Sequence, residues 1–290
     1  MKHLLRTTLF IVFFATAFAF TGDQSEPLPN SLLWKIEKEG HKTSYLFGTI
    51  HLLSESQFSI PEKVQTAFDE SDHLMMEINV TDGEQMVSMI DLAVMKDGVM
   101  MKDLLSEEDY AKLDTAIMME EGMGLNIYGN YKPFVLESIL LFNVIEGQPA
   151  SYEMELAKMA QTKHKNIYQL ENVEDQMAIF DEIPYEDQAK DLMRYVNGDE
   201  DIKVAFQQMV DIYMNEDIEQ LYGLMSAHYM EELWVNKLLV ERNKKWVPKI
   251  DKITRKKNVF IAVGAAHLAG ETGLINLLKS QDFKVTPVMD

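Results

Sequence analysis

Two short segments of the sequence carry one pattern. Tyr45-Leu46-Phe47 runs into Gly48-Thr49-Ile50-His51, and Phe260-Ile261-Ala262-Val263 runs into Gly264-Ala265-Ala266-His267. In each, an apolar run ends at Gly-x-x-His, so the glycine is expected to permit a sharp turn and to set an imidazole just beyond the strand's carboxyl end. That edge is where open α/β sheets bind ligands. Glu77 follows Leu74-Met75-Met76 and Glu171 follows Ile167-Tyr168-Gln169-Leu170, which puts a carboxylate on comparable ground twice. An ionised carboxylate there is costly unless it is paired, hydrogen-bonded or bound to a metal. If the four runs are neighbouring parallel strands, His51, His267, Glu77 and Glu171 meet in one crevice. Such a nitrogen and oxygen set suits divalent zinc, manganese, cobalt or iron, at about 2.0–2.2 Å for zinc.

Each of these residues also has an ordinary structural reading. A lone histidine after a strand can cap or hydrogen-bond, and a lone glutamate at a sheet rim can be ion-paired; the repetition at equivalent strand ends is what favours a site. Arg242 and Asn243 are the next candidates. Met230, Trp234, Leu238, Arg242 and Trp246 recur every fourth residue on a helix expected from about Ala227 to Lys249, so a guanidinium interrupts an apolar row. It needs either a core carboxylate or a substrate oxyanion. His41, His73, His164 and His228 have no partner spacing, and His3 falls in the expected signal peptide. The twenty methionines, Met75, Met76, Met118 and Met119 among them, are expected to fill the core. The acidic runs Glu107-Glu108-Asp109 and Asp199-Glu200-Asp201 read as helix starts or solvated faces.

The elements that must position these groups follow from the apolar patterning. Leu32 to Ile36 and Ser44 to Phe47 read as a hairpin around Glu39-Gly40-His41-Lys42. A helix after Pro61 and a strand from His73 to Val80 complete a parallel βαβ unit. Helical periodicity occupies Gln85 to Met95, Glu107 to Met119, Phe134 to Ile145 and Tyr152 to Thr162, and nearly all of Glu174 to Trp246. Asn166 to Leu170 and Val259 to Val263 return as strands, Glu271 to Ser280 as a helix, and Phe283 to Val288 as a last strand. Without a repeat or a Gly/Ser linker to divide the chain, this is one α/β domain over residues 31–290. It has a mostly parallel central sheet, a strand–Gly-x-x-His unit near each end, and large helical insertions between.

Composition narrows the chemistry. The formal net charge of −20 leaves few cations to neutralise phosphates and argues against nucleic-acid or anionic-lipid partners. The absence of cysteine removes disulfides, thiolate metal sites and thiol nucleophiles, so any metal must be held by His, Asp or Glu. Lys2 and Arg6 precede an apolar run from Leu9 to Phe20, with Ala17-Phe18-Ala19 suiting signal peptidase, so residues 1–19 are expected to be a signal peptide. That run is shorter than the roughly 20 residues a membrane-spanning helix needs, so no stable transmembrane anchor is expected once it is cleaved. Residues 20–30 read as a flexible leader, and the mature protein as periplasmic or secreted. Nucleophile-elbow, phosphate-loop, dinucleotide and His-Glu-x-x-His motifs are absent. A glycosidase using Glu77 and Glu171 is formally open but leaves both histidines without a role.

In order and context, Tyr-Leu-Phe-Gly-Thr-Ile-His-Leu from Tyr45, Met-Glu-Ile from Met76, Ile-Tyr-Gln-Leu-Glu-Asn-Val-Glu-Asp-Gln from Ile167, Glu-Arg-Asn from Glu241 and Val-Gly-Ala-Ala-His-Leu from Val263 resemble the TraB/PrgY/GumN family, from about Leu32 to Pro287. The family includes the Tiki metalloproteases, and its fold is related to the erythromycin-esterase-like and ChaN-like group. The resemblance implies a metal-dependent hydrolase, with His51 and His267 as motif histidines, Glu77 and Glu171 as motif acids, and Arg242-Asn243 as the Arg-Asn pair. One departure is Tyr152-Glu153, where relatives often carry aspartate; no role is assigned to Glu153.

The expectation is an exported peptidase. His51 and His267, with one or both of Glu77 and Glu171, hold a divalent cation (zinc, manganese or cobalt) that activates water. A glutamate not bound to metal serves as general base, and Arg242 and Asn243 steady the oxyanion or the substrate, a peptide or small molecule. The alternative is a non-catalytic protein of the same fold that sequesters a peptide or a metal-bearing ligand such as haem. Nothing in the sequence specifies an oligomeric state.

Overall fold

The computed structural model describes residues 27–198, 201–225 and 232–290. The expected signal peptide, most of the leader, His228, Met230 and the start of the helix expected at Ala227 lie outside these residues. Six strands form the central sheet: β1 (Leu33–Glu37), β2 (Ser44–Thr49), β4 (His73–Met76), β6 (Asn166–Gln169), β7 (Val259–Gly264) and β8 (Lys284–Pro287), in the order β6-β4-β7-β2-β1-β8. β6, β4, β7 and β2 are parallel, while β1 pairs antiparallel with both β2 and β8. Two short strands, β3 (Leu53–Ser54) and β5 (Pro149–Ala150), make a separate antiparallel ladder.

β2 and β7 are almost continuously apolar because helices cover both faces of the sheet, the situation in which parallel strands lose their alternation. Phe47, Phe68, Phe260 and Tyr152 pack edge-on or tilted beside one another at ring separations of 5.4–5.8 Å. The hairpin and the helix Glu62–Glu70 fall where expected. The unit β2–helix–β4 is parallel, but β7 lies between its strands, so the chain's last parallel strand enters the middle of the sheet. This insertion makes the two Gly-x-x-His strands direct neighbours, with Thr49 opposite Gly264. The strand expected to reach Val80 ends at Met76, leaving Glu77 just past the sheet.

One expectation is corrected and the role of the motif glycines is sharpened. Gly48 is an ordinary strand residue, and Gly264, with φ −53°, ends β7 and leads into the 3₁₀ turn Ala265–His267. Gly48 is needed because a Cβ there would stand 2.7 Å from Leu268 Cδ1 and 3.0 Å from Ala265 Cα, so the two motifs can pack together only without a side chain. Met118 and Met119 do not fill the core. The helix Glu107–Glu121 buries Leu113 and Ile117, and its 3.6-residue period turns Met118 and Met119 towards solvent. Met75 and Met76 are buried as expected. Glu107, Glu108 and Asp109 form a first turn capped by Ser106, and Asp201 caps the helix Ile202–Met214; Asp199 and Glu200 lie outside the described residues. Among the described residues no helix is long and apolar enough to cross a membrane.

Candidate active site

The parallel strands deliver their carboxyl ends to one edge. Met76 stands opposite both Ala262 and Gln169, and Glu171 N–H donates to the carbonyl of Glu77 at 2.9 Å, so the two glutamates leave adjacent strands together. The side chains of Glu77, Glu171, Arg242 and His267 are all buried, and together they form one hydrogen-bonded cluster.

Arg242 is its centre. The helix Glu241–Thr254 follows a π-helical turn, Asn236–Val240, which breaks the expected every-fourth-residue row: Trp246 is fully buried while Trp234 and Leu238 are only partly so. Arg242 Nε donates to Glu171 Oε1 at 3.0 Å, and Nη2 donates to the same oxygen at 2.7 Å and to Glu77 Oε2. Nη1 donates to the carbonyl of Leu238 at 2.9 Å and meets His267 Nε2 at 3.1 Å. These contacts use all five guanidinium N–H groups. Trp246 lies under the guanidinium, 4.6 Å from ring centroid to Cζ, and its Nε1 donates to Glu171 Oε2 at 3.1 Å. Glu171 is therefore a buried counter-ion for Arg242. Glu77 keeps one oxygen towards the open edge. Oε1 accepts from Gly264 N–H at 2.8 Å and stands 3.8 Å from His267 Nε2. Burial pushes the Glu77 carboxyl up, but Arg242 foremost, with His267 and His51, outweighs it and holds its pKa at about 2. A carboxyl so acidic is ionised at neutral pH.

Asn243, expected near an oxyanion, is instead committed to His267. Its Oδ1 is 2.6 Å from His267 Nδ1, and its Nδ2 donates to the carbonyls of His267 at 3.2 Å and Thr272 at 2.9 Å. This contact places the His267 proton on Nδ1 and leaves the Nε2 lone pair to accept from Arg242. Burial, and then the nearby guanidinium, lower the His267 pKa to about 3, so the ring is neutral.

His51 has the same anchoring from a residue to which the sequence assigned no role. Its Nδ1 lies 3.1 Å from Glu153 Oε1, which also accepts from Thr49 Oγ1 at 2.7 Å. Ser151 Oγ donates to Glu153 Oε2 at 2.8 Å. The β3–β5 ladder explains the meeting: it ties the segment just after His51 to the segment just before the helix Tyr152–Thr162, whose first turn carries Glu153. The signal was a carboxylate two residues after the capping serine. The His51 ring is largely exposed, and the Glu153 charge pushes its pKa up.

The histidines meet on the open side of Gly264. A Cβ there would stand 3.4 Å from Glu77 Oε1, 3.7 Å from His267 Cδ2 and 3.9 Å from His51 Nε2. The donor chemistry fits a divalent cation: two imidazoles, each with Nδ1 tied to an oxygen acceptor, and one carboxylate oxygen facing the same space. The spacing is wider than a closed site, since among the described residues no three His, Asp or Glu side chains stand close enough to share an ion. The remaining histidines are elsewhere: His41 pairs with Asp251 at the hairpin, His73 begins β4, and His164 lies in a turn at φ 53°.

The TraB/PrgY/gumN family model matches residues 32–287. The uncharacterized protein YbaP of Shigella flexneri is 23% identical over 246 residues, covering 83% of this chain and 89% of YbaP. Metalloprotease TIKI1 of Danio rerio is 20% identical over 312 residues, covering 88% of this chain and 63% of TIKI1. The Metalloprotease TIKI homolog of Nematostella vectensis is 21% identical over 326 residues, covering 91% of this chain and 68% of that protein. No solved structure matches the chain significantly.

Proposed function

This chain belongs to the TraB/PrgY/gumN family, and from that membership and the cluster at the sheet edge we propose that it is an exported, metal-dependent hydrolase acting on peptides. The observation that carries the reading is the pairing of His51 and His267 at neighbouring strand ends, with Glu77 Oε1 facing the same space in front of Gly264. Charge supports it. With His51 carrying a proton against Glu153, the carboxylates of Glu77 and Glu171 still outnumber the single guanidinium of Arg242 by one charge, which a cation would offset. His51 Nε2, His267 Nε2 and Glu77 Oε1 are the atoms that would hold it. When bound, such an ion lowers the pKa of water towards about 7 and polarises a carbonyl.

The protein's own residues do the rest. Glu153 and Asn243 orient both imidazoles through Nδ1, which spares the cost of ordering them, and His51, whose pKa the Glu153 charge raises to about 9, would give up its Nε2 proton to hold an ion. Arg242 keeps Glu77 ionised, so that its Oε1 offers a charge and not a proton. His267 Nε2 would have to leave Arg242 Nη1 to hold such an ion. Glu171 holds Arg242 in place and is no general base, because both its oxygens are taken. The N–H groups of Asn243 are committed to the carbonyls of His267 and Thr272, so Asn243 acts by positioning His267. The export part of the reading rests on Lys2 to Ala19.

Metal content of the purified protein, followed by peptide turnover with and without chelator, tests this. Expected are one bound ion per chain and cleavage that chelation abolishes and His51→Ala loses. Peptide bound tightly and recovered intact would overturn the hydrolase reading in favour of a capture protein.

A further inference from the structure

A cavity of about 190 Å³ opens near the charged cluster, between the helix Pro133–Asn143 and the helix Tyr185–Val196, with Phe180, Trp234 and Leu238 closing it. Its walls are partly aromatic, and Glu137, Asp191 and Arg194 also line it. Phe134 and Phe180 stack with centroids 3.5 Å apart, and Trp234 meets Phe180 edge-on at 5.8 Å. Leu238 and Gln188 extend the wall, and Ser138 stands exposed at its edge. Apolar cavities of about 150 Å³ accommodate benzene, so there is room for one aromatic ring. Gln188 is 2% exposed, its Nε2 donates to the carbonyls of Phe180 and Ile183, and its Oε1 has no hydrogen-bond partner.

Two helices tie the cavity to the cluster. Gln176 donates to Glu77 Oε2 at 3.3 Å, and Phe180, four residues on, lines the cavity. Arg242 bridges the two glutamates, and Leu238, four residues back, lines the cavity and accepts from Arg242. Both helices therefore step from reaction centre to cavity within one turn, about 6 Å. We propose that this cavity is the specificity subsite of the same site, taking an aromatic side chain of the substrate peptide from a residue beside the cleaved bond. The assignment rests on the hydrolase reading for its substrate, and on geometry alone for its preference for a ring.

Binding and cleavage test the two separately. N-acetyl-phenylalanine amide and N-acetyl-alanine amide are titrated into the whole protein by NMR, with Ser138→Trp to plug the opening and Phe180→Leu to remove a ring. Expected is at least tenfold tighter binding of the aromatic amide, weakened fivefold or more in both variants. A peptide mixture digested in parallel should show aromatic residues enriched at one position beside the cut. Ser138→Trp should shift that position to small side chains. Equal binding of the two amides, or cleavage without aromatic enrichment, overturns the subsite and leaves the hydrolase standing. Selective aromatic binding without any cleavage overturns the hydrolase and leaves the cavity assignment standing.

Discussion

Replacing Arg242 by methionine keeps an unbranched stem over Trp246 but removes the guanidinium between Glu77 and Glu171, whose residues are only 8% and 7% exposed. Glu77 would keep Gly264 N–H and Gln176, and Glu171 would keep Trp246 Nε1, which leaves two like charges buried together. Breaking a buried pair by removing one partner costs about 3–5 kcal/mol, a large part of the 5–15 kcal/mol typical of a domain. The pH dependence is the sharper signature. In the natural protein Glu77 is depressed from 4.5 to about 2, so its contribution, on the order of 3 kcal/mol at about 1.4 kcal/mol per unit, is present above pH 4.5 and lost as pH falls through 2. In Arg242→Met the burial of Glu77 loses its main opposing charge and raises that carboxyl, so stability falls as pH rises through its ordinary range. Urea unfolding at pH 7 and pH 5 should show a loss of about 3–5 kcal/mol at pH 7 that shrinks at pH 5, and Glu77→Gln with Glu171→Gln should recover at least half of it. A loss under about 1 kcal/mol at pH 7, or one equal at both pH values, would refute the counter-ion role given to Arg242.

The His267 pKa of about 3 lies below the 6.5 of a free imidazole, so the unfolded chain binds the extra proton and stability should decline as pH falls from 6.5 towards 3. Thermal melting between pH 7 and pH 4 should show this slope, and His267→Asn should flatten it. Glu153→Gln keeps an acceptor for His51 Nδ1 but drops the charge, so the NMR titration midpoint of His51 should fall by at least about one unit; an unmoved midpoint would mean that Glu153 does not govern the ring. Gly264→Ala suits its φ of −53° and should melt within a few degrees of the natural protein, yet its Cβ intrudes 3.4 Å from Glu77 Oε1 and should weaken metal uptake about tenfold or more by equilibrium dialysis. Undiminished uptake would place the ion elsewhere.

The strands were legible because their apolar runs are buried on both faces, and Tyr45–Phe47 and Phe260–Val263 could be read as strands ending at histidines without knowing their neighbours. The single mostly parallel domain followed from the spacing of those runs. Local patterning also located Ser106 and the acidic first turn after it. What it could not express is which distant residues touch. Glu77 and Arg242 are 165 residues apart, and His51 and Glu153 are 102 apart. Their meeting depends on β7 entering between β2 and β4, on the β3–β5 ladder, and on a π turn that rotates Arg242 towards the carboxylates. The same gap explains Asn243, read as an oxyanion donor but spent on His267, and Met118 and Met119, read as core but facing water. Periodicity reports how a segment divides its surface between oil and water; strand order and helical phase, settled by packing across the whole chain, choose the partner each polar group finds there.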